Sequence, residues 1–167
     1  GAGADQVLRA KPSVVLFATE PNTESGATVM DLTSAYAGAK RVQRGIALFN
    51  RRRHVLIQDE IEYATPANVW WFMHYGTDKT VVLSADGTSA TMSKGADRLW
   101  LKIVSGGGGF QIMDAVPLPS SPNPAGQNAN STIKKLAIHL PAVTRTTLAV
   151  YAVPLAAGED PPTALPA

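Results

Sequence analysis

The chain has 167 residues and a net charge of +2 at neutral pH, with 45% hydrophobic and 17% charged residues. These values are typical of one folded domain with enough apolar side chains for a core of its own. Cysteine is absent, which excludes disulfides, thiolate nucleophiles and cysteine-ligated metals. The charge excess is too small to hold nucleic acid, and no apolar run reaches the roughly 18 residues that cross a membrane, so neither partner is expected.

The chain begins with Gly1, Ala2, Gly3 and Ala4 and has no initiator methionine. A signal peptide would show a basic stretch followed by an apolar one, and neither is present at this end. We therefore interpret the chain as a piece of a longer protein.

Short β-branched runs separated by polar or proline-containing breaks fill the first half of the chain, as is typical of strands. The first run, residues 13–19, is apolar enough to predict a buried strand. The next runs are residues 27–33, 41–49, 54–61 and 68–75, with an arginine-rich break after 49 and a Thr65-Pro66 break after 61.

The second half of the chain continues this pattern. Asp86-Gly87 supplies the positive φ angles of a tight turn, so 80–83 and 89–94 are predicted to form a hairpin. The four glycines from Gly106 are a predicted bend and not a phosphate loop, because a strand-like run follows in place of a helix. Prolines and asparagines in 117–130 indicate a long surface loop. The remaining runs are 98–104, 110–116, 132–140 and 146–153, the last two separated by a turn at Pro141.

No stretch of about a dozen residues has the apolar period of a helix. The sequence therefore predicts an all-β protein, an antiparallel β-sandwich of roughly ten strands that forms a single domain over residues 5–155. Residues 156–167 lack a packing pattern and are predicted to be a disordered tail.

The predicted strand around the Trp70-Trp71 pair is apolar on both sides, whereas a sandwich strand normally has one apolar side. Either a loop or a neighbouring domain covers the second side, or its rings form an exposed platform on which sugar rings stack. Large aromatic side chains are buried more often than they bind ligands, which favours a cover. One side of this strand carries Val69, Trp71, Met73 and Tyr75, and the other carries Trp70, Phe72 and His74.

Of the three histidines, the sequence places His74 alone among aromatic residues. No histidine spacing typical of a metal site is present, so no metal is expected, and a hydrogen-bonded structural histidine is a commoner role than a base. Asp59 and Glu60 are neighbours along a strand and point to opposite sides. They therefore cannot form the carboxylate pair of a glycosidase.

Five arginines lie around the break before residue 54. Arg51, Arg52 and Arg53 occupy a predicted hairpin tip, where the ordinary interpretation is a solvated turn. Arginine also binds carboxylates and sulfates through two parallel hydrogen bonds, so the tip can serve as a handle for acidic groups. In that interpretation Arg41 and Arg44 extend the patch along the strand.

A succession of short motifs runs from residue 29 to residue 155. It comprises Asp31-Leu32-Thr33 with Tyr36, then 44–48, 55–61 and 71–74, and later 122–128 and 135–138. In these motifs the chain resembles the C-terminal β-rich portion of the heparinase II/III-like polysaccharide lyases.

The resemblance implies a β-sandwich that follows a helical catalytic domain, and β-elimination on uronate-containing polysaccharides. In that family the catalytic residues and metal ligands come from the helices and from a His-x-His-x-Asp segment, neither of which this sequence contains. We therefore assign no catalytic residue, no metal ligand and no cofactor, and expect the chain to be inactive alone. A secreted or periplasmic location is likewise only what the resemblance implies.

Two functions are compatible with this sequence. The first is a structural or polysaccharide-contacting domain of a lyase, whose partners are a polysaccharide, which can be anionic, and the upstream helical domain of the same chain. The alternative is a self-standing carbohydrate-binding module for polysaccharides, with acidic ones favoured by the arginines. An autonomous enzyme is least supported, because no Ser-His-acid arrangement can be placed. In either favoured case the candidate contact residues are Trp70, Phe72, His74, Arg41, Arg44, Arg51, Arg52 and Arg53.

Overall fold

A computed structural model describes residues 6–19 and 24–163 of the chain. The regular structure of these residues is nine β-strands and one 3₁₀ turn, Thr33–Ala35. The strands are β1 (Ser13–Thr19), β2 (Gly26–Asp31), β3 (Ala39–Phe49), β4 (His54–Gly76), β5 (Thr80–Leu83), β6 (Ser89–Lys94), β7 (Asp97–Ser105), β8 (Phe110–Asp114) and β9 (Ile133–Leu155). The predicted all-β class is confirmed.

Two strands of 23 residues, β4 and β9, connect the whole structure. They pair antiparallel with each other, and their register shifts between Glu62 and Val69. The first half of β4 and the second half of β9 lie at the middle of a larger layer, whose strand order is β1-β2-β3-β4-β9-β7-β6-β5. On the other side of this shift, the second half of β4 and the first half of β9 form a smaller layer of three strands with β8.

The facing sides of the larger and smaller layers form one hydrophobic core. Leu136 and Ile138 come from the smaller layer and Leu101, Leu148 and Val150 from the larger one, and all five are fully buried. At about 25 cal/mol per Å² of apolar surface, each such side chain contributes about 2 kcal/mol when it leaves water. The predicted antiparallel sandwich is thus confirmed.

Four of the predicted strands are in fact the halves of two continuous ones. The breaks expected at Pro66 and Pro141 are bends inside β4 and β9. Proline cannot donate to a ladder, but both prolines fall where the pairing between β4 and β9 shifts register, so the strands continue past them. The bend carries each strand from one layer to the other.

The first strand is not buried, contrary to the prediction. β1 has the expected bounds, but all seven residues are exposed, and the exposed fraction of Phe17 is 73%. The reason is its position: β1 is the last strand of the larger layer, where β2 is its one partner among the described residues, and it lies beyond the three-stranded smaller layer.

The turn predicted at Gly87 and the bend predicted from Gly106 are present. Gly87 has the positive φ of a hairpin turn at +67°, and Gly106, Gly107 and Gly108 all have positive φ angles in the bend after β7. No regular structure occurs between β8 and β9, as expected for the long loop. In the segment after β9, the carbonyl oxygens of Ala156 and Glu159 accept hydrogen bonds from Arg98 Nη2. The domain limits of 5–155 and the disordered tail of 156–167 stay predictions. Within the described residues, no helix has the length and apolarity needed to cross a membrane.

Candidate functional site

The outer side of the smaller layer carries a stack of rings, which we call the aromatic column. Trp70 of β4 lies directly opposite His139 of β9, and their rings stack with centroids 4.0 Å apart. The rings of Trp70 and Phe72 are also stacked, with centroids 5.7 Å apart and an interplanar angle of 16°. The Nζ of Lys135 lies 4.7 Å from the centroid of Phe72 and ends the column with a positive charge.

The aromatic column is a row of near-parallel rings on the outer side of the smaller layer. His139 stacks on Trp70 at 4.0 Å and therefore covers part of the indole. Lys135 is buried and donates a hydrogen bond to the carbonyl of Val116 at 2.8 Å, which ties the loop after β8 beside Phe72. Burial lowers the pKa of Lys135. Trp70 and Phe72 are accordingly half-buried: the two rings cover part of each other, and the loop after β8 lies near Phe72.

The three histidines occupy different surroundings from those predicted. His74 is exposed, and its ring makes no hydrogen bond with any residue in the described part of the chain. The hydrogen-bonded one in this region is His139, whose Nε2 lies 3.2 Å from Asn68 Oδ1. His54 lies between the rings of Phe49 and Tyr151 on the opposite side of the larger layer. The interpretation of His74 as the only histidine among aromatic residues is wrong.

A cavity of about 620 Å³ lies beside the second half of β4, where the smaller layer ends. Its floor is the inner face of the larger layer, and its wall is β4 itself. The loop after β8 closes one end with Leu118 and Ser120. The floor residues include Leu32, Val42, Arg44, Asp59 and Ile61.

The floor of this cavity contains a buried ion pair between β3 and β4. Arg44 Nε and Nη2 each donate a hydrogen bond of 2.7 Å to one carboxylate oxygen of Asp59. These bonds raise the pKa of Arg44. Only 6% of the Asp59 side chain is exposed, against 35% for Arg44. Because the two charges cancel, the floor offers no free cation to an anionic ligand.

Polar groups around the cavity were not recognised from the sequence. Tyr36, Tyr63 and Asn68 line it, and Gln6 donates a hydrogen bond to the Tyr36 hydroxyl at 2.8 Å. Burial raises the pKa of Tyr63, so its hydroxyl stays neutral and able to donate. The sequence signal that could have indicated the cavity is the presence of Arg44 and Asp59, because each charged residue interrupts an otherwise apolar strand face.

The five arginines do not form one patch. Arg41 points to the opposite side of β3 from Arg44 and pairs with Glu60 at 2.7 Å. The proposed extension of the patch along the strand is therefore wrong, because consecutive strand positions alternate between faces. The same alternation separates Asp59 from Glu60, as predicted.

The remaining arginines occupy the β3–β4 hairpin tip, as predicted. Asn50, Arg51 and Arg52 all have positive φ angles there. Arg51 contacts Glu24 at 3.3 Å and Arg52 donates to Thr19 Oγ1 at 3.0 Å. The tip thus leans against the end of β1, away from the residues that line the cavity. No cluster of three metal-binding side chains occurs in the residues that the structure describes.

Comparisons with known proteins give a likeness of fold. No protein-family model and no curated protein matches the chain. Among solved structures, the chain is similar to a heparinase III, the BT4657 gene product, with a TM-score of 0.61 and 10% identity. That match covers 87% of this chain and 22% of the other. It is also similar to heparan sulfate lyase HepC from Pedobacter heparinus, with a TM-score of 0.58 and 14% identity, over 91% of this chain and 23% of that one.

The expected resemblance to a portion of these lyases is therefore confirmed at the level of the fold. At such low identity the match defines a class, a β-sandwich domain of the kind found in heparinase III-type lyases. The chain spans less than a quarter of the length of the proteins it matches.

Proposed function

We propose that this chain is the β-sandwich domain of a heparinase II/III-like polysaccharide lyase, which supports a catalytic domain and contacts the polysaccharide without cleaving it alone. One observation carries the proposal: nearly the whole chain superposes on one part of two such enzymes. Their catalytic activity belongs to proteins more than four times as long as the matched region, which is why we assign this domain a supporting role.

The hairpin tip is the surface best suited to an acidic polysaccharide. Arg51 and Arg53 are exposed there, and Arg51 shares its charge with one carboxylate that is itself 73% exposed. Exposed pairs of this kind are weak, so a sulfate or uronate can replace the carboxylate at little cost. Arg41 and Arg44 already have carboxylate partners and are poorer candidates.

The aromatic column contributes in a different way. His139 already stacks on Trp70 at 4.0 Å, so a sugar has less of the indole to stack on and contacts the remaining surface of the column and the exposed ring of His74. We therefore expect the affinity for polysaccharide to be modest and mainly electrostatic. A secreted or periplasmic location belongs to this proposal and follows from its polysaccharide ligand.

The test is affinity electrophoresis of the chain through gels that contain heparan sulfate, chondroitin sulfate, alginate or a neutral glucan. We expect retardation by the acidic polysaccharides that weakens with added salt and with Arg53→Gln. Lys94→Gln is the matched control, because this exposed lysine at the end of β6 pairs with Asp78 of the β4–β5 turn and lies outside the hairpin tip. Retardation by the neutral glucan, unaffected by either variant, would support the alternative of a self-standing carbohydrate-binding module. Absence of retardation by every polysaccharide would overturn the proposed contact.

Catalytic inactivity is checked on the same samples. Lyases leave an unsaturated uronate that absorbs ultraviolet light, and we expect none after incubation of this chain with heparan sulfate. Steady formation of that product would contradict the supporting role.

A further inference from the structure

We propose that the cavity beside β4 is a groove for an extended polypeptide strand, which pairs with the free edge of β4 and enlarges the three-stranded smaller layer. The inference rests on the proposed function, because the strand would come from the remainder of a longer lyase chain. It concerns a different surface from the hairpin tip.

The first support is the free edge itself. Strand β3 pairs with β4 only as far as Tyr63, and from Val69 to Gly76 β4 pairs with β9 on one side. No strand in the described part of the chain borders its other side. Half of the backbone N–H and C=O groups in this stretch therefore point away from β9, toward the edge of β4 that the cavity borders. Such a row of unpaired groups is a template for another strand.

The second support is how the cavity follows this edge. Val69 and Trp71 face the core, whereas Trp70, Phe72 and His74 face outward, yet all five line the cavity. Side chains of both faces can border one cavity only if it runs along the backbone edge between them. The cavity is therefore shaped like the site of a neighbouring strand.

The third support is the mismatch between the two layers. Eight strands form the larger layer and three form the smaller one, so no strand of the described residues lies over the floor beside β4, although Leu118 and Ser120 of the loop after β8 line the cavity. This floor combines the apolar side chains of Leu32, Val42 and Ile61 with a neutralised ion pair. A strand with alternating apolar and polar side chains would cover it, with its apolar side inward.

The chemistry of the cavity favours a polypeptide over an acidic polysaccharide. Arg44 is the only lysine or arginine among the described residues that line it, and its charge is neutralised by Asp59 through the hydrogen bonds of Nε and Nη2. An acidic polysaccharide would find no free cation there, whereas a strand would satisfy the edge of β4. The matched solved proteins have over three quarters of their length outside the matched region, which is ample chain to supply one.

The probe is a peptide with the sequence of residues 133–140, IKKLAIHL. This segment already pairs with the same stretch of β4 on its other side, and its inward Leu136, Ile138 and Leu140 have the required alternation. The control peptide has the same sequence with every backbone amide N-methylated, so it keeps the side chains but cannot donate to a ladder. Each is titrated into the ¹⁵N-labelled whole chain, and amide exchange is followed by NMR.

We expect alternate amides of β4 between Asn68 and Gly76 to exchange at least roughly tenfold more slowly with the plain peptide, saturably, and to be unchanged with the methylated one. Equal effects of the two peptides, or none from either, would overturn the inference. So would protection of the same amides by heparan sulfate oligosaccharides, which would make the groove a sugar site. Retardation by polysaccharide in the gel test without peptide binding would defeat this inference alone and leave the proposed function standing.

Discussion

Arg44 and Asp59 form a two-fold hydrogen-bonded ion pair on a face that is otherwise apolar, and only the arginine reaches solvent. Removing the arginine leaves a buried carboxylate without a partner, which typically costs about 3–5 kcal/mol. We expect Arg44→Met to lower the free energy of unfolding by about 3 kcal/mol in urea denaturation.

Arg41→Met is the matched control, because Arg41 lies on the same strand and pairs with Glu60 at the surface. Exposed pairs contribute less than about 1 kcal/mol, so this variant should unfold nearly as the parent does. Equal losses in the two variants would show that the burial of Asp59 does not govern the stability of this strand.

The bend after β7 allows a similarly matched comparison between two neighbouring glycines with positive φ. A Cβ on Gly108 would meet Leu140 Cδ2 at 2.8 Å and Ile138 Cγ2 at 2.9 Å, whereas one on Gly107 would meet nothing within 4 Å. Gly107→Ala should therefore cost only the backbone strain, about 1 kcal/mol. Gly108→Ala adds overpacking and should cost about 3 kcal/mol in the same urea experiment. Indistinguishable midpoints would mean that the bend moves freely away from the core.

The ion pair and the aromatic column differ in how far the sequence could predict them. The turn at 50–53 pairs Phe49 with His54, and counting back along both strands brings Arg44 opposite Asp59. Local turn geometry is therefore enough to find the ion pair. The pairing of Trp70 with His139 depends instead on the register of two bent strands far apart in the chain. No local pattern contains that register, so the stacking of these two rings could not be anticipated.

The fold divides in the same way. Alternation and turn residues predicted most strand positions and the all-β class, because these depend on neighbours in the chain. The exposure of β1 was missed because its apolar residues are compatible with either a central or a terminal strand. Which strand ends a sheet is decided by long-range pairing, and the β1–β2 ladder settles it only in the folded structure.

His54 gives the stability a dependence on pH. Burial lowers its pKa, and the charge of Arg53 adds to this effect while Glu159 opposes it. The folded state therefore binds a proton less readily than the unfolded state, and the stability from this group is full above the unfolded pKa of about 6.5 and is lost as pH falls through the folded value. The Tyr151 hydroxyl lies 2.6 Å from Nδ1 of the ring.

We expect the free energy of unfolding to decline below about pH 6.5 and this part of the decline to be smaller in His54→Gln. His74→Gln is the control, because that exposed ring makes no hydrogen bond with any described residue and should leave the profile unchanged. A parent-like decline in His54→Gln would assign the pH dependence to other groups.

Substitution of Trp70 should affect folding as well as any contact with polysaccharide. The indole makes stacked contacts with both His139 and Phe72, so Trp70→Ala removes both contacts and should cost about 2 kcal/mol, less than for a fully buried ring. Trp70→Phe keeps a ring in the stack and should cost roughly half as much. Thermal unfolding of both variants should precede any binding measurement, and unchanged midpoints in both would show that the column adds no stability.

The exposed strand β1 should make the chain self-associate. Val14, Val15, Leu16 and Phe17 are all at least 49% exposed on a free sheet edge that has neither a charge nor a proline within the strand. Natural edge strands usually carry a charged residue or a proline, because an edge without one pairs with other chains. We expect the sedimentation coefficient to rise with concentration, and Val15→Lys to suppress this rise without lowering the urea midpoint, since the side chain is already in solvent. Lys40→Ala is the control, because this exposed residue lies on β3 and not on β1, and it should leave the association intact. A parent sample that sediments as a monomer at all concentrations would mean that β1 does not pair with a second copy, despite its exposed apolar side chains.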